Sequence, residues 1–167
     1  VAGGSRDPAW AALALAYFDR ALRRQPGNAL AQAYRGAALS LVARDYPLQG
    51  PWLVIVGPGF ARLAYVARAV RQLDAALASA PDEPTVRLVR ASTLSGLPAL
   101  LGTRETALAE FALLDRWSGE TSERGEVIRS AGFQAAFRSA YADALQRSGR
   151  SEQAAHGRDA GEPAPVF

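Results

Sequence analysis

The sequence predicts an all-α fold, a stack of antiparallel helical hairpins with about six to seven helices. Two observations predict it. Apolar residues recur at steps of three and four over long segments, and turns containing proline or glycine separate those segments. At 167 residues the chain fits a single domain, placed here at 7–158 and followed by a flexible tail at 159–167.

The first two helices flank a turn at Pro26-Gly27-Asn28. Asp7 and Pro8 form a favourable N-cap and first-turn pair, so the first helix is expected to begin at Pro8. The second helix spans about 29–44. On the first helix, the apolar stripe expected to face the protein core consists of Trp10, Leu13, Tyr17 and Ala21, widened by Phe18 and Leu22.

The third helix, over about 60–80, has the most regular pattern of apolar residues. Pro81-Asp82-Glu83-Pro84 ends it, and Pro84 is well placed in the first turn of a fourth helix. Three further helices are predicted at about 104–117, 126–148 and 151–158. The stripe of the third helix is Leu63, Val66, Val70, Leu73 and Leu77.

The insertion between the second and third helices, residues 46–59, is apolar and bracketed by proline and glycine. Its Trp52 is interpreted either as part of a plug on the helical stack or as the lip of a binding groove, with an oligomer contact as a third reading. A second apolar connection, 97–102, is expected to cap the core. Apolar loops at the same end of two hairpins could instead form one contact patch.

Composition excludes several classes of site. The chain has no cysteine, and its one histidine, His156, lies in the polar tail, so thiolate and multi-histidine metal sites are excluded. No apolar run is long enough for a membrane span. Serines such as Ser92 lack an evident base, and carboxylates such as Glu105 and Glu110 are expected on a solvated surface. We therefore predict no catalytic residue, no metal and no cofactor.

The charge pattern does not favour nucleic acid. All 19 basic residues are arginine, the net charge is only +3, and the tight cluster Arg20, Arg23 and Arg24 is interpreted as a solvated helix face. Arginine without lysine, together with 36 alanines, is typical of a GC-rich bacterial genome. The start Val1-Ala2-Gly3-Gly4 would fit the mature end left by a removed signal peptide, which slightly favours a periplasmic or secreted location over the cytoplasm.

An internal repeat runs through the helices. Ala14, Phe18, Ala21 and Pro26 have spacings of 4, 3 and 5, and the same spacings recur 55 residues later. In each copy a small residue follows the proline by ten positions. The second copy consists of Ala69, Leu73, Ala76 and Pro81; the small residues are Gly36 and Ala91; and a degenerate third copy consists of Ala107, Phe111 and Leu114.

This pattern resembles the tetratricopeptide repeat, in which small residues let two helices approach, an aromatic fills the gap and a proline closes each unit. The resemblance covers about 8–155 and departs from the period of 34 residues by an insertion of about 21. It implies a non-enzymatic scaffold that binds a protein or an apolar peptide segment on the concave face made by the first helix of each hairpin. The matching residues are Leu30, Ala33, Tyr34, Ala37, Leu41, Thr85, Leu88, Val89, Ser92, Ser139 and Asp143.

Two other functions stay open at this point. A small hydrophobic ligand could lie in a cavity closed by Trp52 and the rest of the insertion. Alternatively, incomplete end repeats could stack between copies of the chain and form a homo-oligomer. A carboxylate clamp is not expected, because the matching positions hold Ala33, Ala37 and Val89.

Overall fold

The computed structural model describes residues 8–45 and 58–149. Over this part of the chain the protein has seven α-helices, one short 3-10 turn and no strand, which confirms the predicted all-α fold. No helix in it is long and apolar enough to cross a membrane. The helices are α1 (Pro8–Arg24), α2 (Ala29–Asp45), α3 (Pro58–Ser79), α4 (Pro84–Ser95), α5 (Arg104–Ser118), α6 (Glu123–Arg129) and α7 (Ala131–Arg147).

The chain divides into two compact units, Val1–Pro81 and Asp82–Phe167. The single domain at 7–158 therefore stays a prediction. Of the insertion predicted at 46–59, residues 46–57 with Trp52 lie outside the described residues, and Pro58 and Gly59 belong to α3 instead. The predicted helix at 151–158 and the tail at 159–167 also lie outside the described residues.

In the first unit, α2 packs against both α1 and α3. The turn predicted between α1 and α2 is present, and Asn28 begins α2 by accepting a hydrogen bond from the Ala31 backbone N–H at 2.9 Å. Arg35 on α2 donates to Asp19 on α1, Nε to Oδ1, at 2.5 Å. The two helices are therefore antiparallel neighbours.

Close packing of α2 and α3 depends on Gly36. A Cβ atom added there would lie 2.9 Å from Cγ of Leu73 and 3.1 Å from the backbone oxygen of Ala69. Ala69, Leu73 and Ala76 have no exposed surface. The small residues of the internal repeat thus allow the α2 and α3 backbones to approach closely.

The prediction that the α1 stripe faces the core is wrong for Trp10, Leu13 and Tyr17. Trp10, Leu13 and Tyr17 are 69%, 60% and 69% exposed. The opposite side of α1, which includes the buried Ala11 and the half-buried Phe18, packs inwards instead. Because α1 is apolar over most of its circumference and packs chiefly against α2, one neighbour cannot cover all of it.

The second unit begins with α4, whose start was correctly predicted at Pro84. Glu83 caps it by accepting from the Thr85 backbone N–H at 3.2 Å. The predicted apolar connection at 97–102 forms a 3-10 turn that ends at Gly102, where φ is +66°. Leu97 is buried in agreement with the capping role, whereas Leu100 is 82% exposed. Glycine suits the left-handed conformation at Gly102 because it has no Cβ.

The core of the second unit is an aromatic cluster shared by α5 and α7. The Phe111 ring lies 6.0 Å from that of Phe137 and 5.2 Å from that of Tyr141. Phe111 and Leu114 have no exposed surface, and Ile128 on α6 is likewise buried. α7 contacts α4, α5 and α6, so its apolar side is covered on several flanks.

The helix predicted at 126–148 is wrong: two helices, α6 and α7, meet at Ser130. Ser130 has φ −59° and ψ 142°, outside the helical region. Its backbone N–H still bonds to the Glu126 oxygen at 3.1 Å, and its carbonyl accepts the first α7 bond, from the Gln134 N–H at 2.9 Å. One non-helical residue therefore redirects the chain with its backbone hydrogen bonds satisfied.

Candidate functional site

An exposed apolar stripe runs along α1. Trp10, Leu13 and Tyr17 occupy positions i, i+3 and i+7, which lie on one side of a helix. Residues 8–18 contain no charged side chain. Each of the three large side chains exposes more than half its surface. Contiguous apolar surface of this kind marks interaction sites on soluble proteins.

A second apolar stripe on α2 joins the first. Leu30, Tyr34 and Leu41 share one side of α2, and each is 38% exposed. The Phe18 ring stacks on Tyr34 at 5.4 Å, and the Tyr17 ring meets Phe18 edge-on at the same separation. Three aromatic rings thus connect the two helices. We call this surface the hairpin face: Trp10, Leu13, Tyr17, Phe18, Leu30, Tyr34 and Leu41.

One end of the hairpin face is basic. Arg20, Arg23 and Arg24 are exposed in the last turns of α1, and none forms an ion pair with another described residue. The nearest carboxylate in sequence, Asp19, is already bonded to Arg35. The exposure of the cluster agrees with the solvated helix face predicted from the sequence, and its positive charge is available to a partner.

Some of the predicted binding residues of the first unit are exposed, and others are buried. Leu30, Tyr34 and Leu41 lie on the hairpin face, and Ala37 is half-buried beside them. Ala33 has no exposed surface, so its side chain contributes to packing instead of presenting a surface to a partner.

The predicted binding residues of the second unit do not form a comparable surface. Leu88 is buried in the core cluster with Phe111. Thr85, Val89 and Ser92 are half-buried on α4, and the Ser92 hydroxyl donates to the Leu88 carbonyl at 2.7 Å. On α7, both of the predicted residues, Ser139 and Asp143, are exposed.

The α1 half of the hairpin face was not recognised from the sequence as binding surface. Trp10, Leu13 and Tyr17 have the spacing of core residues, and that spacing does not distinguish a covered face from an open one. A usable signal was present in the width of the apolar arc. The absence of charge from 8–18 leaves more apolar surface than one neighbouring helix covers.

In the second unit, by contrast, two arginines that lie against the Trp117 ring form ion pairs with carboxylates. Arg124 and Arg87 lie over its ring at 4.3 Å and 5.0 Å. Arg124 also donates two bonds to Glu120, at 2.7 Å and 3.0 Å, and one to Asp82 at 3.0 Å. The hydrogen bonds from Arg124 hold the pKa of Glu120 below its usual range.

Glu110 corrects the expectation of a solvated carboxylate. It is 8% exposed, and its two oxygens accept from Arg87 at 2.6 Å and from Arg90 at 2.8 Å. Both arginines are on α4, one helical turn apart, so they converge on a single carboxylate of α5. This arrangement joins two helices and leaves neither oxygen of Glu110 open to a substrate.

A groove of about 440 Å³ lies at the start of α4 and α6. Two of its three acids have partners: Asp82 is bonded to Arg124, and Glu83 caps α4. Its composition is polar, unlike the apolar cavity that a hydrophobic ligand prefers. Across 8–45 and 58–149, no three acidic or histidine side chains converge to hold a metal ion. The residues lining the groove are Asp82, Glu83, Pro84, Ser122, Glu123, Arg124 and Val127.

No protein-family model matches the chain, and no curated protein or solved structure shows significant similarity to it.

Proposed function

We propose that this chain is a non-enzymatic protein-binding module that holds an apolar segment of a partner protein on the hairpin face. The observation that carries the proposal is the row of exposed side chains Trp10, Leu13 and Tyr17, which the half-buried Phe18 ring joins to the exposed Tyr34. Aromatic side chains supply large contact areas and are enriched at the energetic centres of protein interfaces.

The repeat pattern supports the same proposal. Gly36 approaches Ala69 and Leu73 where the resemblance to tetratricopeptide repeats expects small residues. In the second unit, Ala91 and Phe111 are fully buried at the equivalent positions. Paired helices of this kind form rigid platforms whose uncovered sides bind peptides and partner helices.

The small-ligand alternative has less support. It depends on Trp52 and the insertion, which lie outside the described residues, and the groove at the start of α4 is polar. Self-assembly would use the same exposed surface, so the experiment must separate a partner from a second copy of the chain.

Selection from a random peptide library against the intact chain tests the proposal, with counter-selection on Leu13→Gln. Glutamine keeps the helix propensity close to that of leucine while removing apolar contact at an exposed position. We expect the enriched peptides to bind the unaltered chain at least tenfold more tightly than Leu13→Gln.

Leu100→Gln is the matched control, because Leu100 is an exposed leucine of the second unit. It should bind the enriched peptides as the unaltered chain does. Equal binding to the unaltered chain and Leu13→Gln would contradict the proposal. So would sedimentation showing a dimer that Leu13→Gln dissociates, because a second copy would then cover the face.

A further inference from the structure

We infer that the partner segment on the hairpin face is an amphipathic helix with acidic residues in its first turn, lying antiparallel to α1. This inference rests on the proposed function and specifies the chemistry of the partner. Three features of the first unit carry it: the shape of the apolar stripe, the free charges at one end, and the direction of α1.

The stripe has the form that a helix matches. Trp10, Leu13 and Tyr17 stand at helical spacing on a helix of 17 residues, about 25 Å long. Ridges of this kind interdigitate with the side chains of a second helix, as α2 already does with α1 and α3. An extended segment lying here would gain no backbone hydrogen bonds from the protein, because α1 offers side chains and no sheet edge.

The charges specify acidic residues in the partner. Arg20 and Arg24 continue the line of the stripe at its C-terminal end, Arg23 lies to one side of it, and none of the three has an ion pair with a described residue. The rest of the stripe, within 8–18, carries no charge at all. A partner helix therefore gains from carboxylates near one end only and from apolar residues along the remainder.

The position of these charges also fixes the direction of the partner. Carboxylates are favourable in the first turn of a helix, where the macrodipole is positive, and unfavourable in the last turn. For a first turn to lie beside Arg20, Arg23 and Arg24 at the end of α1, the partner must run antiparallel to α1. A parallel partner would place its acidic first turn beside Trp10, where the described part of α1 has no basic residue.

A second copy of the chain complements this surface poorly. In an antiparallel pairing of two α1 helices, the three arginines of one copy would approach the start of α1 in the other. The sequence there offers one carboxylate, Asp7, and next to it Arg6, which has the same positive charge as the three arginines. Three arginines would then face a segment with no net negative charge.

The experiment uses the full chain and three designed peptides, each 17 residues long like α1. All three are labelled with a fluorophore and have leucines at i, i+3, i+4 and i+7 on an alanine and glutamine background. The first peptide has three glutamates in its first turn, the second has the same three in its last turn, and the third has no charge. Fluorescence anisotropy measures the dissociation constants.

We expect the first peptide to bind at least tenfold more tightly than the second or the third. Arg20→Glu/Arg24→Glu should remove most of this preference while leaving binding of the uncharged peptide within about twofold. Arg116→Glu/Arg138→Glu is the matched control: both arginines are exposed and lie in the second unit, and Arg116 is also in the last turn of its helix. It should leave all three dissociation constants unchanged.

Equal binding of the three peptides would overturn the inference and leave the proposed function standing, provided that Leu13→Gln still weakens binding. Tighter binding of the last-turn peptide would overturn the antiparallel direction. Failure of every peptide, together with dimerisation through α1 or binding to vesicles of phosphatidylcholine and phosphatidylglycerol, would overturn both proposals. Dichroism of each variant establishes that its helices are intact before binding is interpreted.

Discussion

α1 and α7 have similar spacings of apolar residues, but three large apolar side chains of α1 are exposed, whereas those of α7 are buried or partly buried. Trp10 and Tyr17 on α1 are exposed, whereas Phe137 on α7 is 6% exposed and Tyr141 is partly buried against the same core. The two helices have the same length, 17 residues. The difference lies in their neighbours. α7 contacts α4, α5 and α6, whereas α1 packs chiefly against α2 within its unit.

The arginines beside Trp117 and those at the end of α1 also differ in their partners. In the second unit, Arg87 and Arg124 are held in hydrogen bonds to carboxylates and lie against Trp117. In the first unit, Arg23 and Arg24 form no hydrogen bond or ion pair with a described residue. A closed core with paired charges indicates a part that serves stability. In the proposed function, the open aromatic face with its unpaired arginines is the part that binds the partner.

The largest expected effect tests this contrast with two aromatic truncations. Phe111→Ala should destabilise the protein by about 3–5 kcal/mol, because it removes a fully buried ring from the core of the second unit. Trp10→Ala should change the free energy of unfolding by less than about 0.5 kcal/mol, because the side chain is largely exposed. Urea unfolding followed by dichroism measures both. A comparable loss for Trp10→Ala would show that α1 is covered in solution.

A smaller effect is expected at Glu110. Glu110→Gln should cost about 1.5–3 kcal/mol, because Arg87 and Arg90 would lose charge-assisted bonds at a buried position. Asp115→Asn, an exposed carboxylate on the same helix, is the matched control and should be nearly neutral. Thermal melts at low and high salt measure both. Equal melting temperatures for the two variants would place Glu110 among surface charges, as the sequence had suggested.

The smallest effect sharpens the description of the first unit. Gly36→Ala should destabilise it by about 1 kcal/mol, because the added methyl meets Leu73 and a backbone oxygen that cannot easily move. Gly132→Ala is the control: it lies in the first turn of α7, and an added Cβ there meets nothing within 4 Å. This variant should be neutral or slightly stabilising. Stabilisation by both alanines would show that α2 and α3 are not in close contact.

The helix boundaries were largely predictable from the sequence because their signals are local. Pro8 and Pro84 begin helices, and the turn at Pro26-Gly27-Asn28 separates α1 from α2, as predicted. The break at Ser130 was missed because serine is a weak helix breaker and the apolar pattern continues on both sides of it. Only the φ and ψ angles at that residue distinguish one bent segment from two helices.

The candidate site was only half predictable. Leu30, Tyr34 and Leu41 were assigned to a binding surface, and they are exposed on α2. Ala33, which was assigned with them, is buried because α2 packs between two other helices and keeps only part of its circumference open. Exposure of a residue on such a helix depends on the crossing of its neighbours, which spacing alone does not give.

The sequence by itself determined that this protein is helical and where most of its helices begin and end, because those properties depend on neighbours within about four positions. Tertiary structure alone decided which apolar stripes are covered. Trp10 and Phe137 satisfy the same helical pattern, yet burial requires other helices on that side, and the number of available neighbours is a property of the packed units. The same packing decided that Glu110 is a buried bridge between two arginines, because its partners lie 20 and 23 positions away in sequence.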